Sequence, residues 1–158
     1  MVAERIEYLI QKFGLVEHPE GGWYKETYRS KDEVGSRSLM TSILFLLTEE
    51  NPSNFHSIKS DEHWYFHEGH ALTIHTLTEN GHLKHKLGIN LERGEAPYLL
   101  VEKGAIFGSS VDVTNGYALV SCAVAPGFSF EDFKLYSQKE LLSQFPDYPA
   151  VIDRLTSN

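Results

Sequence analysis

Side chains capable of chemistry are concentrated in residues 55–69, which read FHSIKSDEHWYFHEG. If the chain bends just before Glu62, side chains alternate along the strand that follows, so Glu62, Trp64 and Phe66 share one face. The two aromatic side chains favour that face as the interior. A carboxylate in an apolar interior must be paired, bound to a metal or neutralised, and His56 on the preceding strand is a candidate partner. We therefore predict that His56 and Glu62 form an acid–base or ligand pair.

The elements that must position this pair are mainly short strands. Residues about 22–135 consist of short runs rich in Tyr, Phe, Val, Ile, Leu and Thr that are separated by turn residues, a pattern typical of a β-sandwich or barrel. Apolar residues with helical spacing predict an N-terminal helix over about 3–13, and a capping-box motif predicts C-terminal helices over about 138–156. We expect one domain over residues 1–158, all-β with short terminal helices.

The composition limits the classes of partner. Fourteen Lys and Arg against 22 Asp and Glu give a net charge of −8, which argues against binding to nucleic acid or to an anionic membrane. The single cysteine, Cys122, excludes an internal disulfide framework and suits a reducing compartment. The start of the chain is acidic, unlike a signal peptide, and the apolar run 43–47 is far too short to span a membrane. We expect a cytoplasmic protein whose partner is a small molecule.

The spacing around the histidine–glutamate pair resembles the cupin signature. That signature is His-x-His, then three or four residues, Glu, six residues and Gly, with a second motif of Pro-x-Gly, two residues and His. His56, Glu62 and Gly69 fit the first motif, whereas Ile58 replaces its second histidine and Phe107 replaces the histidine of the second motif. The resemblance implies a double-stranded β-helix, the cupin jelly-roll barrel, in which two of the four usual metal ligands are apolar side chains.

Nearly the whole chain resembles the small cupins of the domain of unknown function 985 branch. The segments that carry the resemblance are residues 18–30, 37–38, 41–47, 55–56, 59–62, 125–128 and 130–133. The resemblance implies a jelly roll that forms a homodimer. The general plan is also similar to the sugar-nucleotide epimerase branch, which uses a cupin barrel without a metal and a histidine base, although that branch's own strand motif around the histidine is not present here.

A jelly roll of this size has an interior wide enough for side chains and one small ligand. We expect the pocket to centre on the histidine–glutamate pair. Tyr24, Glu26 and Tyr28 share one face of the first long strand, and we expect Tyr24 and Glu26 to contact the ligand. Trp64 and Phe107 are expected to provide apolar walls suited to stacking on a sugar-like ring.

The favoured function is a metal-independent epimerase or isomerase that acts on a sugar-like ligand. His56 would transfer the proton, and Glu62 would orient the imidazole or hold its charge. Two alternatives stay open, a non-catalytic ligand-binding or sensing cupin and a metal-dependent cupin oxygenase or isomerase. The second alternative needs a divalent metal at His56 and Glu62 with a further ligand such as His70 or His75. We expect no metal, because a bound ion needs a more complete set of ligands.

Overall fold

The computed structural model describes residues 1–157, in which three α-helices, one 3₁₀-helix and fourteen short or long strands follow one another. The elements, in chain order, are α1 (Val2–Phe13), β1 (Val16–Glu17), β2 (Trp23–Arg29), β3 (Glu33–Val34), β4 (Arg37–Ser38), β5 (Thr41–Thr48), β6 (Ser53–Ser57), β7 (Asp61–Gly69), β8 (Leu72–Thr78), β9 (Gly81–Leu87), the 3₁₀-helix (Leu91–Arg93), β10 (Glu95–Ala96), β11 (Tyr98–Val101), β12 (Ile106–Val111), β13 (Tyr117–Ala125), β14 (Lys134–Leu135), α2 (Gln138–Gln144) and α3 (Pro149–Arg154).

Two six-stranded sheets form the barrel. The strand order is β1-β2-β5-β13-β7-β11 in the first sheet and β10-β9-β8-β12-β6-β14 in the second, and β3 and β4 form a separate two-stranded ribbon. The pairings within both large sheets are antiparallel except that between β9 and β10. Consecutive strands β5, β6, β7 and β8 pass back and forth between the two sheets, which is the connectivity of a jelly roll. The predicted fold class is confirmed.

The apolar core fills only one end of the barrel. Along β5 the buried side chains of Phe45 and Leu47 belong to this core, and along β13 so do Ala118 and Val120. The inward-facing residues at the other ends of the same two strands line a cavity instead. The alternation of side chains along each strand thus supplies both a packed end and an open end.

The helices cover the outer faces of the sheets. Helix α1 packs Leu9 against Leu46 and Leu119 of the first sheet, while α2 and α3 pack Leu141 and Ile152 against the second sheet. Because all three helices lie outside the barrel, none of them fills its interior. No helix among residues 1–157 is long and apolar enough to cross a membrane.

Candidate functional site

A cavity of about 750 Å³ lies between the two sheets at the open end of the barrel. This volume falls in the usual range for sites that bind small molecules. The cavity is lined by residues of β2, β5, β6 and β7, by the end of β13, by a segment that follows β13, and by residues before β2 and around β4. Its lining residues are His18, Glu20, Tyr24, Glu26, Arg29, Ser36, Arg37, Ser38, Thr41, Ser42, Ile43, His56, Ile58, Glu62, Cys122, Val124, Phe128, Ser129, Phe130, Glu131 and Phe133.

His56 is a buried residue of β6 whose ring is held on one side. Its Nδ1 atom lies 2.7 Å from the Asn54 carbonyl oxygen and 2.9 Å from Glu20 Oε2. Both neighbours are acceptors, so Nδ1 carries a proton and donates. The ring packs against Phe107 with 4.3 Å between ring centroids. Within residues 1–157 the Nε2 atom makes no hydrogen bond, which leaves it available to a ligand in the cavity.

Glu20, and not Glu62, is the carboxylate that orients His56. Sequence reasoning missed this residue because it lies in a turn, outside the strands along which side chains alternate. Gly21 has a φ of 110°, and a Cβ there would lie 1.9 Å from the Pro52 carbonyl oxygen. The glycine therefore lets the turn pack directly on the chain that leads into β6. Ser53 at the start of β6 then donates a hydrogen bond to Glu20 Oε2.

The electrostatics around Glu20 favour an ion pair with His56. Burial would raise the pKa of Glu20, but the charge and hydrogen bond of His56 lower it below its usual value, with smaller help from His18 and Ser53. Burial would likewise lower the pKa of His56, but the Glu20 carboxylate raises it above 6.5. The folded protein therefore favours the charged forms of both groups, an ionised Glu20 and a protonated His56.

His18 contributes a neutral imidazole to the same cluster. Burial lowers its pKa, the Glu20 carboxylate opposes that effect, and the charge of His56 lowers it further. The backbone N–H of Glu20 donates to His18 Nδ1 across 3.1 Å, so Nδ1 is an acceptor. His18 Nδ1 also lies 3.3 Å from Glu20 Oε1, but an unprotonated nitrogen forms no ion pair with a carboxylate.

Glu62 is a second buried carboxyl group, on β7, and within residues 1–157 it forms no salt bridge of its own. Burial, reinforced by the nearby charge of Glu20, raises its pKa to about 7, while the charge of His56 and the adjacent Cys122 thiol work against the increase. Burial also raises the pKa of Cys122, next to Glu62, so the thiol stays protonated. Near neutral pH the Glu62 carboxyl group therefore exchanges a proton readily.

On β2, the structure places Tyr24 and Glu26 on the cavity wall. Tyr28 does not follow them, because a β-bulge interrupts the pairing of β2 with β5 between Glu26 and Tyr28. The extra residue leaves Tyr28 53% exposed and turns Arg29 to the side of Glu26. Arg29 Nη2 lies 2.7 Å from Glu26 Oε1. Strict alternation along the strand would have placed Arg29 on the opposite face, which is why sequence reasoning missed it.

The expectation that Trp64 and Phe107 form walls of the pocket needs correction. The two side chains are 0% and 1% exposed and belong to the packed core, and neither lines the cavity. Their rings contact each other at 6.2 Å in an edge-to-face arrangement, and Trp64 also packs on Phe45. Phe107 therefore supports His56 from behind, and the aromatic side chains on the cavity itself are Tyr24 and three phenylalanines of the segment after β13, Phe128, Phe130 and Phe133.

The donor set does not fit the usual metal of the cupin fold. Of the four positions that carry ligands in the cupin signature, only His56 and Glu62 have donor atoms here, because Ile58 and Phe107 are apolar. Phe107 pairs directly with His56 across β12 and β6, so its ring occupies the place from which a ligand would reach inward. Within residues 1–157 no three His, Cys, Asp or Glu side chains are grouped to hold a metal ion.

Comparison with known proteins identifies relatives over nearly the full length. A family model described as Cupin superfamily (DUF985) matches residues 7–136. The crystal structure of protein SO0799 from Shewanella oneidensis matches this chain with a TM-score of 0.91 and 43% sequence identity, and the match covers 96% of each chain. A hypothetical protein from Leishmania major is 38% identical with a TM-score of 0.89, and the match covers 96% of this chain and 98% of that one.

Two further proteins are less similar. Uncharacterized protein YML079W from Saccharomyces cerevisiae is 28% identical over 147 residues, which cover 80% of this chain and 73% of that protein. An oxalate decarboxylase variant from Bacillus subtilis is 15% identical with a TM-score of 0.57, and the match covers 88% of this chain but 36% of that one. The likeness to the decarboxylase concerns the fold alone. The family match and the two similar structures show that this chain belongs to the cupin superfamily, in its DUF985 family.

Proposed function

We propose that this cupin binds a small, sugar-like carbonyl compound and catalyses proton transfer on it, as an epimerase or isomerase. One observation carries the proposal: the imidazole of His56, held by Glu20 through Nδ1, and the carboxyl group of Glu62 are both buried and line the same cavity. The environments of the two groups set their proton affinities apart, which is how acid and base roles are divided in proton-transfer enzymes.

In the proposed reaction, ionised Glu62 is the base and His56 is the acid. Glu62 removes a proton from the carbon next to the carbonyl group, and the electron pair of the broken C–H bond forms the C=C bond of an enol. His56 donates the Nε2 proton to the carbonyl oxygen as that oxygen gains charge. Protonated Glu62 then returns the proton to the neighbouring carbon, while His56 Nε2 takes a proton from the hydroxyl group on the original carbon, which gives an isomer. If the enol first turns its other face to Glu62, the proton returns to the same carbon and His56 takes back the enol proton, which gives an epimer.

Glu20 takes the orienting role that the sequence suggested for Glu62. By accepting from His56 Nδ1, it holds the ring in place and stabilises the imidazolium, while Glu62 stays free to act on the ligand. A base with a pKa of about 7 suits this task, because general-base catalysis is most effective when the pKa lies near the working pH.

We propose that the reaction uses no resident metal, because Ile58 and Phe107 leave the cupin ligand set half filled. The resemblance to other cupins and the single buried cysteine further support a homodimer in the cytoplasm. Elemental analysis of freshly purified protein tests for a metal, and light scattering on the peak eluted from a size-exclusion column tests for the homodimer. A stoichiometric divalent metal whose removal abolishes turnover would favour the metal-dependent alternative.

Solvent exchange tests the proposed chemistry without knowledge of the physiological substrate. Aldoses, ketoses and their phosphates are incubated with the protein in deuterated water, and incorporation of deuterium next to the carbonyl group is followed by NMR. We expect catalysed exchange for at least one compound and a loss of roughly 100-fold or more in Glu62→Gln and His56→Asn.

Two exposed residues provide matched controls, Glu79→Gln and His85→Asn, which make the same chemical changes away from the cavity. Both controls should exchange like the unmodified protein. Tight binding of a compound with no exchange would instead identify a binding or sensing module. Exchange that survives both cavity substitutions would remove His56 and Glu62 from the mechanism.

A further inference from the structure

Two arginines line the more open end of the cavity and have no part in the proton transfer proposed above. The side chains of Arg29 and Arg37 are 48% and 24% exposed, whereas those of His56 and Glu20 are 2% and 8% exposed. The cavity therefore has a buried end, where the proton-transfer groups lie, and an open end, where the guanidinium groups lie.

The segment that follows β13 holds both guanidinium groups. Arg37 Nη1 donates to the Gly127 carbonyl oxygen across 3.3 Å and pairs with the carboxylate of Asp132. Arg29 Nη2 donates to the adjacent Phe128 carbonyl oxygen across 3.3 Å while it also contacts Glu26. Because the two carbonyl groups are neighbours in the chain, the two cationic side chains converge on one place at the open end.

Each guanidinium group keeps donors that its protein partners do not use. Within residues 1–157, Arg37 makes no hydrogen bond from Nε or Nη2, and Arg29 makes none from Nη1. The Nε and Nη2 atoms of an arginine form a planar fork that matches two oxygens of a carboxylate or phosphate. The carboxylates of Glu26 and Asp132 hold the two side chains in place and so reduce the entropy lost when an anion binds.

The buried end has the opposite character. The charge of its imidazolium, His56, is already paired with the Glu20 carboxylate, and the adjacent Glu62 carboxyl group becomes anionic as it titrates, so an anionic group brought beside Glu62 would be repelled. A ligand that carries both a carbonyl and an anionic group therefore has one favourable orientation in this cavity.

We propose that the ligand carries a carboxylate or phosphate group, which Arg37 and Arg29 bind at the open end while its carbonyl group reaches the buried end. The orientation of the carbonyl group rests on the proposed function; the anion site does not. The substrate class is then a small anionic carbonyl compound, such as a sugar acid or sugar phosphate.

Binding of simple anions tests the site independently of catalysis. Inorganic phosphate and acetate are titrated into ¹⁵N-labelled protein, and the arginine Nε–H signals are followed by NMR. We expect shifts at Arg37 and Arg29, with the affinity reduced roughly 10-fold or more in Arg37→Gln. Arg37→Lys keeps the charge but not the planar fork, so its affinity should lie between those of the unmodified protein and Arg37→Gln. Arg93→Gln, at an exposed position, should bind the anions like the unmodified protein.

The two anions show which anionic group the site binds. A response to phosphate alone assigns a phosphate group, a response to acetate alone assigns a carboxylate, and a response to both supports the shared site. No shift with either anion, or equal loss of affinity in the Arg93 control, would overturn the proposal. The fold of each variant is checked by its thermal midpoint, and Arg29→Gln provides a second test if Arg37→Gln is unstable.

The exchange assay separates this inference from the proposed function. With dihydroxyacetone and dihydroxyacetone phosphate as probes, Arg37→Gln should slow exchange of the phosphorylated compound roughly 10-fold or more relative to exchange of the neutral compound, and the Arg93→Gln control should leave both rates unchanged. If anions bind but nothing exchanges, the anion site stands and the proton-transfer function fails. If both compounds exchange equally in the unmodified protein and in the variant, the function stands and the anion site fails.

Discussion

Replacement of Glu62 by Gln should make the protein more stable at alkaline pH. The amide keeps the shape of the buried carboxyl group but cannot ionise. In the folded protein the pKa of Glu62 is about 7, against an ordinary value of 4.5. A carboxyl group with a raised pKa binds its proton more tightly in the folded state, so its contribution is fully present below pH 4.5 and is lost as the pH rises through 7.

The size of this effect follows from the shift. Each pKa unit corresponds to about 1.4 kcal/mol, so a shift from 4.5 to about 7 amounts to roughly 3 kcal/mol when the group is fully ionised. Between pH 5 and pH 8.5, we expect the free energy of unfolding of Glu62→Gln to gain about 2 to 3 kcal/mol relative to that of the unmodified protein. The effect of the adjacent Cys122 thiol, which favours the ionised carboxylate, is already contained in the pKa of about 7.

Urea denaturation at the two pH values, followed by tryptophan fluorescence, measures the difference. Glu79→Gln at an exposed position is the control and should show no such gain. If the free energies of unfolding of the unmodified protein and of Glu62→Gln differ by the same amount at pH 5 and at pH 8.5, Glu62 titrates normally. That result would remove the basis for its role as a base.

Three further substitutions test other parts of the structure. Glu20→Gln should lower the free energy of unfolding by about 2 kcal/mol at pH 6, because a charge-assisted hydrogen bond to His56 is lost. Since the pKa of His56 is raised, this loss should shrink towards pH 9, and urea curves with equal losses at both pH values would contradict an ion pair. Gly21→Ala should lower the free energy of unfolding by at least about 2 kcal/mol, because the added Cβ would clash with the Pro52 carbonyl oxygen. Gly35 also has a positive φ but has open space around it, so Gly35→Ala should lower the free energy of unfolding by only about 1 kcal/mol. Equal thermal midpoints for the two alanine variants would refute the tight turn. Burial and the charge of His82 lower the pKa of His75 to about 4, so stability is lost as the pH falls from 6.5 to 4, and His75→Gln should flatten this acid limb in circular dichroism. If the loss of stability at acid pH is the same in the variant, groups other than His75 cause it.

The fold and half of the site could be predicted from local patterns. Alternation of apolar and polar residues along β7 correctly placed Glu62 and Trp64 on the inward face, and the cupin-like spacing identified His56 as the histidine on the adjoining strand. Such patterns work where a strand is regular, because its side chains then alternate without interruption.

The rest of the site depends on features that the alternation of side chains along a strand does not predict. Glu20 lies in a turn and reaches His56 only because Gly21 lets two loops pack together, so the Gly-Gly pair was the available signal. Arg29 faces the cavity only because a bulge adds one residue to β2. Trp64 points inward as expected but lies at the packed end of the barrel, and a face alone does not specify the position along the barrel axis.

Direct titration of the two central side chains tests the account most closely. Protein labelled with ¹³C in glutamate and histidine side chains is titrated by NMR from pH 4 to pH 10, with Glu62→Gln and His56→Asn used to assign the signals. We predict that the Glu62 carboxyl group titrates with a pKa of about 7 and that the pKa of His56 lies above its ordinary value of 6.5. A Glu62 signal that titrates near 4.5, with His56 neutral at pH 7, would contradict the proposed division of acid and base.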